Sequence, residues 1–469
     1  MARGTGGMSA EIQGPRIVLL LSTLALTLIG FVMIYSASTV SALVEDSSAA
    51  SYLFDQIKFA VLGFIVAAVI VRFFPYDTWT GVVLWGYWGI CLLMLLLTAV
   101  VGTSALGAQR WLVLGPISLQ PSEFAKIAIV IMLAKLLADR RSGALGETQF
   151  LKMCVLVVVL PTGLILLTQS DLGTTLIIGV GLVAVLFLGE VDMRGILVVI
   201  GVCFLLALFS TVFSSYRSNR WLFINPWNDG NNGNGLGYQL VHSYYAFSEG
   251  GIFGSGLGNS REKYLYLPES ETDFIFSIIG EELGMVGALL VVALFLAFLW
   301  AGLRIARYAA DSFGTMVAGS LAAMIVAQAF LNIGCVIGIL PTTGKPLPFI
   351  SSGGSSLIAT FMMVALILSV SNETSSSVYQ HRRDNLRVVR ADGDDRGGWD
   401  ADGRRSSRSH ARGNVVSVDP RRDDGMRSGR VGGFDGGSAG DRRTRADART
   451  RTKRSSLVDG FPSGDTRWR

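Results

Sequence analysis

The chain has 469 residues, 51% hydrophobic and only 16% charged, with a formal net charge of +5 and a mean hydropathy of +0.49. Its length would hold about three soluble domains, but that hydropathy excludes them, and apolar runs of about 18 or more residues read as membrane spans. The charge is unevenly divided: residues 1–380 hold 18 Lys/Arg and 21 Asp/Glu, and 381–469 hold 22 and 14.

In chain order, a short segment over 1–16 precedes ten apolar stretches. They lie at about 17–36, 56–76, 79–101, 122–138, 153–168, 172–189, 195–213, 274–303, 312–338 and 349–371. The first lacks a small-residue cleavage site and reads as a retained span, not a signal peptide. The predicted fold is an all-α polytopic membrane protein of about ten transmembrane helices occupying 17–373. With the N-terminus inside, ten loop cations fall on the cytoplasmic side and seven outside, and an even number of spans returns the tail inside. That orientation, N-in and C-in, makes 214–272 a large extracytoplasmic loop between spans 7 and 8. Its aromatic residues (Trp221, Trp227, Tyr238, Tyr244, Tyr245, Tyr264, Tyr266) argue against disorder and suit a layer packed on the membrane surface. The tail, 374–469, is basic and poor in large apolar residues. It reads as disordered and attracted to anionic lipid, and no aromatic-interleaved basic fold supports nucleic-acid binding.

Several chemistries are set aside. Cys91, Cys154, Cys203 and Cys335 all lie in apolar runs, and outside the tail there is one histidine, His242. Neither a disulfide framework nor a His-based metal site follows. No phosphate-binding glycine motif is present. The sequence requires no cofactor and leaves any metal unknown.

Ionisable residues in or beside spans are costly and are functional candidates by default. Four groups stand out. Arg110-Trp111 precedes Gln120-Pro121-Ser122-Glu123-Phe124-Ala125-Lys126, where Glu123 and Lys126 are three apart and can pair on one helix face. Asp171 sits in a very short turn and can cap the sixth span. Glu269, Glu271 and Asp273 end the long loop, with Glu281 and Glu282 two turns into the eighth span. A carboxylate at a helix start is favoured as a cap, so Asp273 has a structural explanation as well as a functional one. Lys345 lies in a Pro-rich turn before Ser351-Ser352-Gly353-Gly354, a small-residue stretch that also suits close helix packing. Together these groups place Arg110, Arg217, Arg220, Lys263 and Lys345 on the same membrane face as Asp171, Glu269, Glu271 and Asp273. Such a face suits transfer at a membrane-held phosphate ester, cations holding a pyrophosphate and a carboxylate taking a proton from a hydroxyl. Intramembrane Glu123, Lys126, Glu281 and Glu282 would equally suit a transporter.

The segments QRWLVLGPISLQPSEFAK, QSDLGTT, RWLFINPWND, GLGYQLVHSYYAFSEGGIFGSGLGNS, LPESETDFIFSIIGEELG and LPTTGKPLPFISSGGSS resemble, in order, those of the SEDS family of FtsW, RodA and SpoVE. The resemblance covers about 17–373 and leaves the tail outside. It implies a ten-span peptidoglycan glycosyltransferase that polymerises lipid II on the outer face, with a cognate class B penicillin-binding protein as partner. It also implies that Asp273, in E-x-x-x-D-F-I-F, is the catalytic carboxylate, deprotonating the acceptor GlcNAc 4-hydroxyl. The family's R-W and Q-P-x-E-x-x-K positions fall on Arg110, Trp111, Glu123 and Lys126, read as substrate-binding, with Arg110 and Lys126 either meeting the substrate's phosphates or shaping the cavity; Arg217, Arg220, Lys263 and Lys345 join them as substrate-binding only by topology and charge. Asp171, Glu269, Glu281, Glu282, Ser351, Gly353 and Gly354 would support them. A divalent cation (Mg or Mn) could neutralise the leaving pyrophosphate, though no ligand motif shows one. Ser352 stands where the family often has Tyr. The Lys-Pro-Leu-Pro turn and the long basic tail favour an FtsW-like septal enzyme, its tail recruiting divisome proteins. The alternatives are a RodA-like elongation polymerase, a lipid II flippase, or a scaffold acting through the tail.

Overall fold

The computed structural model describes residues 10–44, 48–105, 108–114, 117–212 and 223–373. Among the described residues, helices occupy the positions of the ten expected spans. They are α1 (Ala10–Val44), α2 (Ala49–Phe73), α3 (Val82–Val101), α4 (Pro121–Arg141) and a composite of α5 (Glu147–Cys154) with α6 (Leu160–Thr168). Then follow α7 (Leu172–Leu188), α8 (Met193–Val212), α10 (Ile275–Arg307), α11 (Ser312–Val336) and α12 (Gly354–Glu373), with α9 (Tyr238–Gly250) between α8 and α10. Seven are long and apolar enough to cross a bilayer; α7 and α8 are shorter apolar helices, and α4 carries buried charge. The chain is an integral, polytopic, helical membrane protein. The expected boundary at 374 and everything said of the tail fall outside the described residues, as do Arg217, Arg220 and Trp221.

Burial follows a membrane pattern. α11 and α12 are enclosed on almost every side, while α1 turns Leu20, Leu21, Leu24 and Leu28 outward and α10 turns out Leu289, Leu290 and Leu296. Among lipid tails such faces cost nothing, so helix association depends on close packing. Gly354 shows this: a Cβ there would come 2.7 Å from the Phe59 ring. Cys91 and Cys335 are buried and the other two cysteines half-buried.

Two irregularities have local causes. Pro161 lacks an N–H and its ring crowds the carbonyl four residues back, at Val157. A π-helical turn, Val155–Val159, takes up the misfit, and Trp88 Nε1 donates to the freed Val157 oxygen at 3.2 Å. The second irregularity is absent from the expected pattern, which ran the eighth span unbroken through 274–303. α10 is broken at Gly284, where φ is +68° and ψ −168°. The freed backbone groups are met by the preceding loop. Ser255 N donates to Glu281 O (2.9 Å), Gly256 N to Glu282 O (3.1 Å), Met285 N to Gly251 O (2.9 Å) and Val286 N to Ile252 O (3.2 Å). A Cβ at Gly284 would lie 2.3 Å from Gly254 N, and its backbone region is open almost only to glycine. Gly284→Ala therefore lowers stability by at least about 1–3 kcal/mol of backbone strain, measured as a reduced melting temperature in detergent. An unchanged melt would contradict the break.

The structure bears out the all-α expectation, with one small addition. Between α3 and α4 lies a small antiparallel sheet of β1 (Thr103–Ala105), β2 (Ala108–Leu114) and β3 (Ile117–Leu119). β1 and β3, three residues each, are too short to announce themselves in an apolar sequence and form by pairing with β2. The long loop also contains α9, which packs on the first half of α10 through Phe247–Phe276 and the Ser243–Ser277 hydroxyl pair.

The bundle's two ends differ. At one end Tyr76 donates to Asp311, Arg141 pairs with Glu190 and Arg140 with Glu147. At the other end the starts of α4, α7, α10 and α12 meet the ends of α1 and α11.

Candidate active site

This second end is built from helix starts. Pro121 opens α4 at a position where its missing N–H costs nothing, and Glu123 occupies the first turn, where the helix dipole favours an anion. Asp171 caps α7 as expected, accepting from Thr174 N at 3.0 Å and from the Thr174 hydroxyl at 2.8 Å. Capping is only part of its role. Lys345 Nζ lies 2.8 Å from Asp171 and 3.2 Å from Glu123; Lys126 Nζ lies 2.6 Å from Glu123. Gln120 donates to Asp171 and Gln328 accepts from Lys126. Two cations and two anions thus form one chain from α4 to α7 to the segment after α11, with every side chain 3% exposed or less. Burial would raise the Asp171 carboxyl, but Lys345, the Thr174 amide and Arg110 hold it at about 2. Burial likewise opposes the Lys345 charge, and Asp171 and Glu123 outweigh it, raising its pKa.

A second buried group anchors the long loop. Glu282 accepts from Ser36 and pairs with Lys263 at 3.1 Å, and Lys263 also donates to Gly258 O. Glu281 accepts from the Ser260 hydroxyl and the Arg261 amide. Lys126, Lys263 and Lys345, expected as substrate-binding cations, are therefore buried and committed to protein carboxylates. Arg110 differs: half-buried on β2, it donates to Gln169 O at 2.9 Å and Ser170 O at 3.1 Å, leaving three of its five N–H donors without a partner among the described residues. Trp111 beside it is half-buried too.

Asp273 is the exception among the acids. α10 begins at Ile275 with Phe274 as its cap residue and no side-chain cap, so Asp273 does not cap the helix. Its carboxylate makes no hydrogen bond or ion pair among the described residues. The surrounding backbone, by contrast, is fixed from three sides. Glu271 O accepts from Ser352 N at 2.9 Å, Thr272 O from the Ser351 hydroxyl at 2.6 Å, and Asp273 O from Asn332 Nδ2 at 2.7 Å. The departure at Ser352 is thereby explained: the position contributes its main-chain N–H, which does not depend on the side chain. Gly344 flanks the carboxylate, and a Cβ there would come 3.5 Å from Asp273 Oδ2. Gly353 lies in the same segment, between Pro346 and Ser356.

Burial pushes the Asp273 carboxyl up to about 6, the Glu269 charge adds to the rise, and Lys345 and Arg110 oppose it. A carboxylate poised there is ionised at neutral pH yet basic enough to take a proton in a transition state. Below about pH 6 it is protonated, so a reaction using it as base must lose rate as pH falls through that value. Glu269 is exposed and receives the Thr272 hydroxyl at 2.6 Å. Glu269→Gln removes the neighbouring charge while keeping the side chain's shape. The acid limb of the pH–rate profile should then shift to lower pH; a shift upward or none would contradict this coupling.

No three His, Cys, Asp or Glu among the described residues converge to hold a metal, and the carboxylates of Asp171 and Glu123 are already occupied by lysines. The described residues thus form no closed cage of their own for a divalent cation.

A family model for FtsW/RodA/SpoVE, described as "Cell cycle protein", matches residues 16–376. The chain belongs to this family. It is 41% identical over 367 residues to a Geobacter metallireducens protein named "Probable peptidoglycan glycosyltransferase FtsW", covering 77% of this chain and 96% of that relative. Bacillus subtilis "Stage V sporulation protein E" is 38% identical, over 78% and 99%. A chain from a structure described as "Structural coordination of polymerization and crosslinking by a peptidoglycan synthase complex" superposes with TM-score 0.60 at 28% identity, over 76% of this chain and 97% of its own. This FtsW/RodA/SpoVE chain uses residues that its sequence did not single out. Gln328 and Asn332, four apart on one face of the uncharged α11, bind the two segments that carry Lys126 and Asp273. Polar side chains at helical spacing inside a span are the signal that could have revealed them.

Proposed function

We propose that this chain is a peptidoglycan glycosyltransferase that polymerises lipid II on the outer face of the cytoplasmic membrane, with Asp273 as general base. The observation that carries this reading is the Asp273 carboxylate: unpaired, raised toward neutrality, and held by its backbone at the end of the bundle opposite the basic loops. The N-in, C-in orientation follows from the Lys/Arg asymmetry and puts the site outside. Asp273 takes the proton of the acceptor GlcNAc 4-hydroxyl. The oxygen attacks the anomeric carbon of the growing strand's terminal MurNAc, the bond to the pyrophosphate oxygen breaks, and undecaprenyl pyrophosphate leaves with the electron pair. One displacement inverts the anomeric carbon without a covalent intermediate. Arg110, through its remaining donors, is the cation placed to meet the pyrophosphate. A metal is not needed to balance this step.

The partner is a class B penicillin-binding protein whose transpeptidase cross-links the strands, and the relatives named FtsW favour the division septum over elongation. The domain spans 17–373, and the tail from 374 contributes placement through anionic lipid and division proteins. Glu123, Lys126, Glu281 and Glu282, which motivated a flippase, all lie at one end of the bundle in closed networks and form no series across the membrane. Purified with its partner, the protein should convert fluorescent lipid II into glycan strands, and the Asp273→Ala variant should not. Equal strand formation by both would overturn the assignment.

A further inference from the structure

We propose that Asn332 is a positioning residue for this reaction: its side-chain amide sets the catalytic carboxylate by holding the main chain of Asp273 and of the Lys345 turn together. The inference rests on the reading of Asp273 as general base. Nδ2 carries two N–H donors and spends one on Asp273 O at 2.7 Å and the other on Lys345 O at 2.8 Å. The side chain is 2% exposed, and its Oδ1 is buried without a partner among the described residues. A buried acceptor left unpaired costs stability, so an apolar residue would suit this helix better on packing grounds alone. What the amide supplies is the pair of donors.

The consequence is geometric. Asp273 needs a carboxylate free of hydrogen bonds, so its position cannot be fixed through its own oxygens. It is fixed one bond away, through carbonyls. The Ser351 hydroxyl and Ser352 amide hold the two preceding carbonyls, but Asn332 holds that of Asp273 itself. The same amide keeps the Lys345 turn, with Gly344, against the carboxylate. Gln328, one turn earlier on α11, holds Pro346 O at 3.0 Å with its own amide. The charges facing Asp273 are Glu269 from its own segment, Lys345 from this turn, Arg110 from β2 and Asp171 from the start of α7. Loosening the turn alters its distance from at least the second of these.

The full-length chain with its partner, in nanodiscs, provides the test, using Asn332→Ala, Asn332→Asp and Asn332→Gln. Steady-state polymerisation of labelled lipid II gives kcat and KM, lipid II binding is measured separately, and hydrogen–deuterium exchange reports on the backbone. Misplacing a reacting group by about 1 Å costs on the order of 100-fold in rate, so kcat of the Ala variant should fall by roughly 10- to 100-fold with binding unchanged. Asn332→Asp, which when ionised has no donor, should do no better, whereas Gln, with both donors on a longer arm, should recover part of the rate. Exchange should quicken over 271–276 and not in α4 or α7. An Ala variant with wild-type kcat overturns the proposal. So does one whose exchange rises throughout the bundle, because Asn332 would then only support the fold. Wild-type protein that fails to polymerise would strike the underlying function instead, and the local exchange pattern would still decide whether Asn332 holds the Asp273 segment.

Discussion

Replacing Asp273 with Asn should stop glycan polymerisation while leaving lipid II binding and the melting temperature near wild type. A positioned general base contributes about 10²–10⁴-fold to a reaction of this kind, and Asn has almost the same shape with no basic oxygen. The substitution leaves the neighbouring structure intact because Asp273 is held by its main-chain oxygen, which Asn retains, and its carboxylate pairs with nothing among the described residues. That combination separates Asp273, which is only half-buried, from the fully buried acids here, each of which would leave a partner stranded. Asp273→Glu makes a sharper test. The base is preserved but pushed one methylene further beside Gly344, so activity should lie between wild type and Asn. The measurement is the initial rate of strand formation from fluorescent lipid II in the presence of the partner, at pH 7.5 and again near pH 5.5. Wild type should be slower at the acid pH, where a carboxyl of pKa about 6 is mostly protonated. The Asn variant has no such carboxyl, so its residual rate should lack that acid limb. An Asn variant that polymerises at the wild-type rate would remove Asp273 from the chemistry.

How much of this was readable in the sequence depends on what kind of information each feature carries. Helix positions were legible because charges punctuate the apolar runs: Arg72, Arg140 and Arg304 mark ends, and Pro121 and Asp171 mark starts. Asp273 could be placed at a helix mouth but not told apart from a cap, since both readings want a carboxylate there. Only the helix start at Ile275 decides it. The lysines were legible as to side and not as to depth. Residue type and topology put Lys126, Lys263 and Lys345 near a membrane face, yet whether an amine faces a substrate or a buried carboxylate depends on helices distant in sequence. The break at Gly284 was hidden for another reason. A single glycine in an apolar run reads as tolerated, and what makes it a break is the backbone of residues 251–256 entering from outside the helix.

Lys345→Met should be the most destabilising single change at the site, and the pattern of its rescue distinguishes an ion-pair role from a phosphate-binding one. The amine is buried between Asp171 at 2.8 Å and Glu123 at 3.2 Å, and Met fills a similar volume without charge. Removing one partner of a buried pair leaves uncompensated charge and costs about 3–5 kcal/mol; here it deprives two carboxylates at once, though Lys126 still serves Glu123. Asp171 has the Thr174 amide and hydroxyl and Gln120 to fall back on, but among the described residues no other cation within salt-bridge distance. Its carboxyl, held at about 2 largely by Lys345, must rise in the variant. A group whose folded pKa is depressed contributes stability above its unfolded value of about 3.9. Losing Lys345 therefore removes stability at neutral pH and little below about pH 2. The single variant should melt lower at pH 7. The double variant Lys345→Met/Asp171→Asn, which removes the stranded charge and keeps the cap through the Asn side-chain oxygen, should regain much of the loss. If Lys345 instead served mainly to hold pyrophosphate, the single variant would melt like wild type and lose lipid II affinity, and the second substitution would restore nothing. Melting curves of the three proteins in one detergent, beside lipid II binding, separate these outcomes. Recovery in the double variant would place Lys345 with the helices, leaving Arg110, with three N–H groups uncommitted among the described residues, to meet the phosphates.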